Sequence, residues 1–305
     1  MRTVVTGAAG FIGSHITEAL LARGHHVTAV DDLSTGCRSN LPPTADLHQI
    51  SVLDPALDQV CAGAGAVVHA AAQTSVAVSA RDPAGDALTN IVGTIRAVRA
   101  AAGGGAQRFI YLSSAAVYAP DAQPPMGEDA QIGPASPYGI SKLAGEWYVQ
   151  HLAGAAGMEW VIVRLANVYG PRQSAEGEAG VIARWSAALA AGDPVILYGD
   201  GSQTRDFIYV EDVARAVAMA AEAGAAAGRL FNVGTGTETA IGELLGTLEG
   251  LAGARAAVIR RERRPGDPPR SALQTGCIRR ALGWAPSVAL AEGLARTLSH
   301  YLERP

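Results

Sequence analysis

The chain has 305 residues, a formal net charge of −4 and 49% hydrophobic residues, enough for one large α/β unit or two unequal lobes. The weak negative charge and the lack of long basic runs argue against nucleic acid as a partner. No apolar run could span a bilayer, and the chain opens directly on a strand, so we expect a cytoplasmic protein with no signal peptide and no membrane contact. The three scattered cysteines show no metal-binding spacing, so we expect reduced thiols and no metal site.

The amino terminus has the pattern of a dinucleotide-binding motif. Arg2–Thr6 is a predicted buried strand, followed by Gly7, Gly10 and Gly13 in the spacing G-x-x-G-x-x-G. Apolar residues at helical spacing then continue up to Gly24. Glycines allow the backbone to approach a pyrophosphate that lies on a helix N-terminus. The order of strand, glycine turn and helix therefore predicts a dinucleotide site.

The next predicted strand, Val27–Val30, ends in Asp31-Asp32. A carboxylate at this position accepts hydrogen bonds from the hydroxyls of the adenosine ribose. It also repels the 2′-phosphate that distinguishes NADP from NAD. The sequence therefore favours NAD as the cofactor.

The middle of the chain alternates predicted strands with predicted helices. The strands cover Ala66–Ala70, Arg108–Leu112 and Glu159–Leu165. Two helices begin at Asp82-Pro83 and Ser136-Pro137, where a capping side chain precedes a proline. This repetition predicts an α/β fold of the Rossmann type, with a doubly wound parallel sheet.

Ligands of such folds bind beyond the carboxyl ends of the parallel strands. Those ends bring together residues from separate parts of the sequence, namely Gly7, Asp31, His69 to Ala72, Ser113, Ser114 and Asn167. We interpret His69 as a hydrogen-bonded strand residue rather than as a ligand or a base.

Lys142 is the only lysine, and it follows Tyr138 by four residues. On a helix, residues four apart share a face, so the phenol and the ammonium can point into one site. A nearby cation lowers the pKa of a phenol, so we expect Lys142 to prepare Tyr138 as a general acid and base. The alternative is a surface helix with a solvated lysine.

After Asn167 the regular alternation gives way to turns, loops and a basic segment at 260–267. We expect residues 167–205 and 228–305 to form a smaller α/β lobe that binds the substrate. Residues 1–166, with about 206–227, would form the NAD-binding domain. The basic segment is either part of the substrate site or a solvated turn.

These motifs together resemble a known family. They include TGAAGFIGSH from Thr6, HAAA from His69, YxxxK from Tyr138, NVYGPRQ from Asn167 and YGDGSQTRDFIYVEDV from Tyr198. Their order and coverage are similar to those of the extended short-chain dehydrogenases/reductases, in particular NAD-dependent sugar-nucleotide epimerases of the UDP-galactose 4-epimerase type. The resemblance implies an NAD-dependent enzyme that epimerises C4 of a UDP-hexose.

The resemblance also implies the NAD-binding residues. Phe11 and Ile12 would place N–H groups on the pyrophosphate, and Lys142 would bond the nicotinamide ribose. The full set is Gly7, Gly10, Phe11, Ile12, Gly13, Asp31, Asp32, Leu33, Ser34, Thr35, Gly36, Ser51, Val52, Ala70, Ala71, Ala72, Gln73, Asn90, Ser113, Tyr138, Lys142 and Leu165. Ser51 stands where related enzymes carry an adenine-binding aspartate, which leaves the backbone of Val52 for that contact.

For the substrate, Asn167 matches an asparagine that bonds the UDP diphosphate, and Gly180-Val181 match a backbone pair near the uracil. Arg205 and Arg264 match arginines that clamp the diphosphate, and Asp267 matches a carboxylate on the uridine ribose. The full implied set is Ser75, Ser114, Asn167, Gly180, Val181, Tyr198, Arg205, Arg264 and Asp267.

In the implied reaction, Tyr138 takes the proton of the C4 hydroxyl while Ser114 hydrogen-bonds the same oxygen. Dehydratases and decarboxylases of the family carry an acidic residue directly after the serine or threonine. This chain has Ala115-Ala116-Val117 there, which disfavours both. The alternatives are another sugar-nucleotide epimerase, a dehydratase or a net reductase of the same family or, from a different class, an inactive NAD-sensing protein.

Two further expectations concern assembly and the sugar. In related proteins the helices that begin at Pro83 and Pro137 pair with their copies in a four-helix bundle, so we expect a homodimer. Alternatively, their apolar residues only cover the sheet. In similar epimerases the residue four after the ribose-binding aspartate helps to set the width of the pocket, and a tyrosine there excludes acetamido sugars. This chain has Ser271 at that position, so the resemblance implies a pocket that admits an N-acetyl group unless Arg270 fills the space.

Overall fold

The computed structural model describes residues 1–176, 180–263 and 267–303. Its strands, in chain order, are β1 (Arg2–Thr6), β2 (His26–Val30), β3 (Asp46–His48), β4 (Ala66–His69), β5 (Arg108–Ser114), β6 (Glu159–Leu165), β7 (Asn167–Tyr169), β8 (Val195–Tyr198), β9 (Thr204–Arg205), β10 (Phe207–Tyr209), β11 (Arg229–Val233), β12 (Thr239–Ala240) and β13 (Val258–Arg261).

Its α-helices are α1 (Phe11–Ala22), α2 (Leu57–Cys61), α3 (Val76–Arg81), α4 (Pro83–Ala87), α5 (Gly93–Gly103), α6 (Pro137–Ala155), α7 (Val181–Ala191), α8 (Val210–Glu222), α9 (Ile241–Ala252), α10 (Gly276–Leu282) and α11 (Leu290–Leu302). A π-helical turn, Leu88–Val92, joins α4 to α5. The helix predicted to begin at Pro83 is therefore continuous to Gly103. None of the described helices is long and apolar enough to cross a membrane.

The large sheet has seven strands in the order β11-β6-β5-β4-β1-β2-β3. All of its strand pairs are parallel, so the carboxyl ends of the strands lie along one edge. This is the Rossmann-type order with β11 added beside β6. The predicted fold class is therefore confirmed. The sequence analysis assigned residues 228–305 to the smaller lobe. In the structure, β11 falls within that range but belongs to the large sheet.

Helices cover both faces of this sheet because its central strands are apolar on both sides. Val5 of β1 lies in one core cluster with Ile16 of α1, and α1 packs against α8. Val4, whose side chain points to the opposite face, lies in a second cluster with Val149 of α6. Both faces of the sheet are thus covered by apolar side chains. The polar groups expected to bind ligands lie at the carboxyl ends of the strands.

The two helices that frame the expected site begin as predicted. Asp82 accepts a hydrogen bond from the backbone of Gly85, and Ser136 accepts one from the backbone of Gly139. In each case a proline occupies the first helical turn, where a missing N–H costs nothing. These caps fix where α4 and α6 start relative to the sheet edge.

The smaller lobe contains short strands and helices outside the large sheet. Strand β8 pairs with β13, and β9 pairs with β12. Helices α7, α9 and α11 pack on one another around Trp185, Leu244, Leu248 and Leu294. This third core lies apart from the two cores that flank the large sheet.

Candidate active site

The turn between β1 and α1 forms a cradle that has no room for side chains. Gly7 has a φ of +67°, and a Cβ there would lie 2.6 Å from the backbone nitrogen of Ala71. A Cβ on Gly13 would lie 2.0 Å from the carbonyl oxygen of Gly7. Gly10 caps the N-terminus of α1, so the first N–H groups of that helix point at this cradle. The backbone is therefore shaped to receive a phosphate-bearing ligand.

Asp31 lies beside the cradle at the end of β2. Its carboxylate accepts hydrogen bonds from the backbone of Ala9 at 2.9 Å and of Leu33 at 2.8 Å. Burial raises the pKa of Asp31, and these hydrogen bonds oppose that shift. A Cβ on Gly36 would lie 2.8 Å from this carboxylate, so the loop wraps closely around it. The cradle, the helix N-terminus and the oriented carboxylate together fit NAD.

The other residues that we predicted to bind the adenosine of NAD are held by local hydrogen bonds. Asp32 accepts from the backbone and the hydroxyl of Ser34, at 2.9 and 2.6 Å, while Thr35 is exposed beside them. Ser51 uses its hydroxyl to accept from the backbone of Leu53 at 3.2 Å. Val52 is buried. Ser51 thus lies in a turn that is stabilised by the hydrogen bond to its hydroxyl oxygen.

The loop after β4 is fixed by Asn90 from the π-helical turn. Asn90 accepts from the backbone N–H of Gln73 and donates to its carbonyl, both at 2.9 Å, and it donates to Ser141 Oγ at 3.1 Å. Gln73 in turn accepts from the backbone of Ser75, which caps α3. We expected Asn90 to face the cofactor. Its amide contacts this loop and α6 in the structure, and a contact with the cofactor stays a prediction.

Tyr138 and Lys142 lie in the first two turns of α6, next to the end of β5. The hydroxyl of Ser114 lies near that of Tyr138, close enough to lower the pKa of the phenol. Lys142 is buried and its Nζ donates to the carbonyl of Leu112 at 3.0 Å, 5.1 Å from the ring centroid of Tyr111. The helix and the strand thus bring the three predicted catalytic side chains to one place.

The electrostatics of this pair differ from the prediction. Burial, with a smaller contribution from the Asp86 carboxylate, raises the pKa of the Tyr138 phenol to about 12, and the nearby Ser114 hydroxyl only partly opposes this. Burial likewise lowers the pKa of Lys142 to about 8. The Lys142 ammonium is directed to the Leu112 carbonyl and the Tyr111 ring. The pKa of Tyr138 is therefore not lowered as the sequence predicted, because burial outweighs the opposing effects.

Two neighbouring side chains are fully engaged inside the protein. His69 is hydrogen-bonded to Thr6 at 2.7 Å and to Thr94 at 3.1 Å, and burial lowers its pKa to about 3. It is therefore a neutral strand residue, as predicted. The hydroxyl of Ser113 donates to Glu146 at 2.5 Å.

The smaller lobe carries a cavity of about 220 Å³. Six of the predicted substrate residues line it: Asn167, Gly180, Val181, Tyr198, Arg205 and Asp267. Asn167 is exposed at the start of β7, and Gly180 caps α7. Arg205 forms an ion pair with Asp267. Arg264, the second predicted clamp, lies outside the described residues.

Comparison with known proteins assigns the chain to a family. A model of the NAD dependent epimerase/dehydratase family matches residues 3–234. The chain belongs to this family. It is therefore an NAD-dependent enzyme, in agreement with the geometry of the cradle and of Asp31.

Relatives in this family extend over the whole chain. A UDP-glucose 4-epimerase from Mycolicibacterium smegmatis is 42% identical over 309 residues, which cover 99% of this chain and 98% of the relative. The crystal structure of a Thermotoga maritima UDP-glucose 4-epimerase with UDP-glucose has a TM-score of 0.95 and 38% identity, covering 99% and 98% of the two chains. That of the Thermus thermophilus UDP-glucose 4-epimerase with NAD has a TM-score of 0.92 and 36% identity, covering both chains completely.

Several residues that the sequence reasoning missed also belong to the site of this family member. Gln173, Arg184 and Gln203 line the cavity with the predicted residues. Gln173 ends the motif NVYGPRQ, and Gln203 lies in the motif that begins at Tyr198, so both could have been predicted from the sequence. Asp86 is buried beside Asn90 and is hydrogen-bonded to it. In the sequence, only the spacing of four residues between Asp86 and Asn90 indicates that the two side chains could contact each other.

Proposed function

We propose that the protein catalyses the NAD-dependent 4-epimerisation of a UDP-hexose through a transient 4-keto sugar. The observation that carries this proposal is the placement of Ser114, at the end of β5, beside Tyr138 and Lys142 in the first two turns of α6. The next side chains are Ala115, Ala116 and Val117, none of which can act as an acid or a base. Such a site suits removal and return of one proton and one hydride, without elimination of water or loss of carbon dioxide.

Tyr118 completes this argument. It is the first residue after Ser114 with an ionisable side chain, and it is buried. Its hydroxyl donates to Asn232 at 2.8 Å, and the Arg164 guanidinium lies over its ring at 4.8 Å. Because this phenol is committed to the protein interior, Tyr138 is left as the proton-transfer group.

In the proposed reaction, Tyr138 takes the proton of the C4 hydroxyl, and Ser114 donates a hydrogen bond to the same oxygen as charge develops on it. When bound, NAD would supply the hydride acceptor for C4 and the hydride donor for the opposite face of the sugar. Lys142 hydrogen-bonds the cofactor ribose and supplies positive charge near Tyr138. The smaller lobe holds the nucleotide, so that the hexose can turn between the two hydride transfers.

The nucleotide is assigned to the cavity of the smaller lobe. Arginine binds phosphate oxygens through a planar fork, which suits Arg205 to the diphosphate. Asp267 already orients Arg205, and it offers a carboxylate to the ribose hydroxyls. We assign Asn167 to the diphosphate, and the backbone at Gly180-Val181 to the uracil.

We also propose that the protein is a homodimer built on α6 and the α4–α5 helix. The outer face of these helices carries exposed apolar side chains, including Leu88, Val92, Ile140, Trp147 and Tyr148. Exposed apolar groups at this density are typical of a surface that is covered by another protein. A second copy placed about a two-fold axis would cover them with the same face.

The direct test is to incubate the protein with a panel of UDP-hexoses, without added cofactor, and to resolve the C4 epimers by NMR. We expect interconversion of UDP-glucose and UDP-galactose, with NAD found on the purified protein. Consumption of NADH in proportion to product, in a parallel incubation with added NADH, would indicate a net reductase instead. A dehydrated or decarboxylated product would replace the proposal by one of the other reactions known in the family.

A further inference from the structure

Asp86 is a buried carboxylate that the proposed reaction does not use. It lies in α4, just before the π-helical turn, and is 2% exposed. Its Oδ1 accepts from Gln73 Nε2 at 2.9 Å and from Asn90 Nδ2 at 3.1 Å. Both donors are neutral amides, and none of the ion pairs among the described residues includes Asp86. A buried charge without a counter-charge is costly, so its presence needs a cause.

The matching positive charge is Lys142, which is 4% exposed. Its ammonium donates to the Leu112 carbonyl, and it too is absent from the described ion pairs. Burial lowers the pKa of Lys142 to about 8, and the carboxylates of Asp86 and Glu146 oppose this fall. Asn90 donates both to Asp86 Oδ1 and to Ser141 Oγ, each at 3.1 Å, so a single side chain separates Asp86 from the residue that precedes Lys142 on α6. The two carboxylates therefore act on the lysine without forming an ion pair with it.

Of these two anions, Glu146 is already neutralised. Arg164 donates to both of its oxygens, at 2.9 and 2.7 Å, and Ser113 donates to it as well. Its charge is thus compensated by direct contact. Asp86 is hydrogen-bonded only to side-chain amides, so no cation in direct contact compensates the charge that it exerts on Lys142.

The other titratable groups that face Lys142 are uncharged at neutral pH. Burial, and to a smaller extent the charge of Lys142, lower the pKa of His69 on β4 to about 3. Burial raises the pKa of Tyr111 on β5 far above its usual value. Tyr138 on α6 has its pKa raised to about 12. Among the described groups packed around the lysine, Asp86 is left as the unneutralised anion.

We infer that Asp86 is a positioning residue for Lys142, whose buried carboxylate keeps the ammonium charged from a distance. A carboxylate in direct contact would occupy the N–H donors of Lys142, which the proposed function needs for the cofactor ribose. An offset carboxylate keeps the charge and leaves these donors free. The same Asp86 oxygen also holds Gln73 and Asn90, so it fixes the loop after β4 on the other side of the site.

The composition of the chain allows a direct test. Because Lys142 is the only lysine, protein labelled with ¹³Cε-lysine gives a single lysine side-chain NMR signal. Its chemical shift against pH reports the pKa of Lys142 in the NAD-bound protein, whatever the substrate is. Asp86→Asn keeps the size of the side chain and its Oδ1 acceptor but removes the charge.

In Asp86→Asn we expect the Lys142 pKa to fall by at least about half a unit, because a nearby opposite charge is lost. At the wild-type midpoint, the charged fraction would fall from one half to about one quarter. Asp82→Asn is the matched control. It removes a carboxylate from the same helical segment but retains the cap to Gly85, so the Lys142 titration should not move.

An unchanged Lys142 titration in folded Asp86→Asn would overturn the inference and leave Asp86 a purely structural residue. If Asp86→Asn does not fold, the pKa of Lys142 is measured in Asp86→Ser instead. A lowered pKa would again support the inference, and an unchanged pKa would overturn it. Turnover provides a second readout, because the alkaline loss of activity should move to lower pH in step with Lys142. A fall in activity that is equal at every pH would contradict the inference. Absence of UDP-hexose epimerisation by the wild type would instead refute only the proposed function.

Discussion

At the level of single residues, the environment of Lys142 explains why one lysine is present among 23 arginines. Its ammonium is enclosed between the Leu112 carbonyl and the Tyr111 ring. An arginine has a wider, planar head that this space does not accommodate. We expect Lys142→Arg to lower kcat at least about 100-fold and to weaken NAD retention, measured by epimer formation and by the NAD content of the purified protein. Arg279→Lys, on the exposed side of α10, is the control and should behave as the wild type.

The phenol of Tyr138 is the second residue whose role can be isolated. Tyr138→Phe removes one oxygen and leaves the ring packing intact, so we expect turnover to fall by roughly 10² to 10⁴. NAD should stay bound, because the cradle and Asp31 are untouched. Tyr148→Phe removes an exposed hydroxyl from the same helix and should be nearly neutral. Retention of more than about a tenth of the activity in Tyr138→Phe would refute its assignment as the acid and base.

At this scale the sequence predicted which residues meet, but not their charge states. Helical spacing and the shared edge of parallel strands were enough to bring Tyr138 and Ser114 together. The pKa of Tyr138 depends on how deeply the phenol is buried, which spacing does not encode. Asp86 was missed because a π-helical turn, which no pattern in the sequence signals, sets its position relative to Asn90.

Among the elements, the β1–α1 turn makes the strictest demand on sequence. A methyl group on Gly13 would lie 2.0 Å from a backbone oxygen, so the turn has to open to accept it. We expect Gly13→Ala to lose bound NAD and to unfold at lower temperature, as measured by NAD content and thermal denaturation. Gly154→Ala is the matched control, because a Cβ there meets open space within α6. That control should raise the free energy of unfolding by about 0.5–1 kcal/mol.

The pair of outer helices leads to a prediction about assembly. Trp147 is 61% exposed on α6, at the centre of the proposed dimer face. Trp147→Glu would place a charge in that interface, so we expect a dimer to become a monomer by light scattering at micromolar concentration. Leu302→Glu makes the same kind of change at a residue that is 59% exposed on α11. It should leave the dimer intact, and a monomeric wild type would refute the proposed interface.

At the scale of the whole molecule, the two lobes are tied together by a residue that the sequence did not single out. The backbone N–H of Arg172 donates to His300 of α11, and its guanidinium donates to Ser14 of α1 and to Glu18 at 2.6 Å. Arg172 has a φ of +68°, an uncommon conformation for a residue with a side chain. Contacts between residues so far apart in sequence follow from the completed fold. Local patterns predicted the alternation of elements but not this junction.

The volume available to the sugar is also set by the assembled molecule, and it leads to a prediction about substrate range. Arg270, which could have filled the space beside Ser271, donates to Glu238 at 2.9 Å and is exposed. Leu273 packs against Val117, which places this segment next to the residues that follow Ser114. With no ring at Ser271 and Arg270 held elsewhere, we expect the wild type to interconvert UDP-GlcNAc and UDP-GalNAc as well as the plain hexoses.

Replacing Ser271 by a larger residue tests this expectation. Ser271→Tyr should suppress acetamido activity and spare UDP-glucose and UDP-galactose, since one additional ring is enough to exclude the acetamido group by contact. Ser271→Ala keeps the space and should retain both activities. Relative kcat/KM values for the two sugar pairs, measured by NMR on all three proteins, decide the matter. If the wild type converts only the plain hexoses, another part of the pocket limits its width, although the role of Tyr138 would be unaffected.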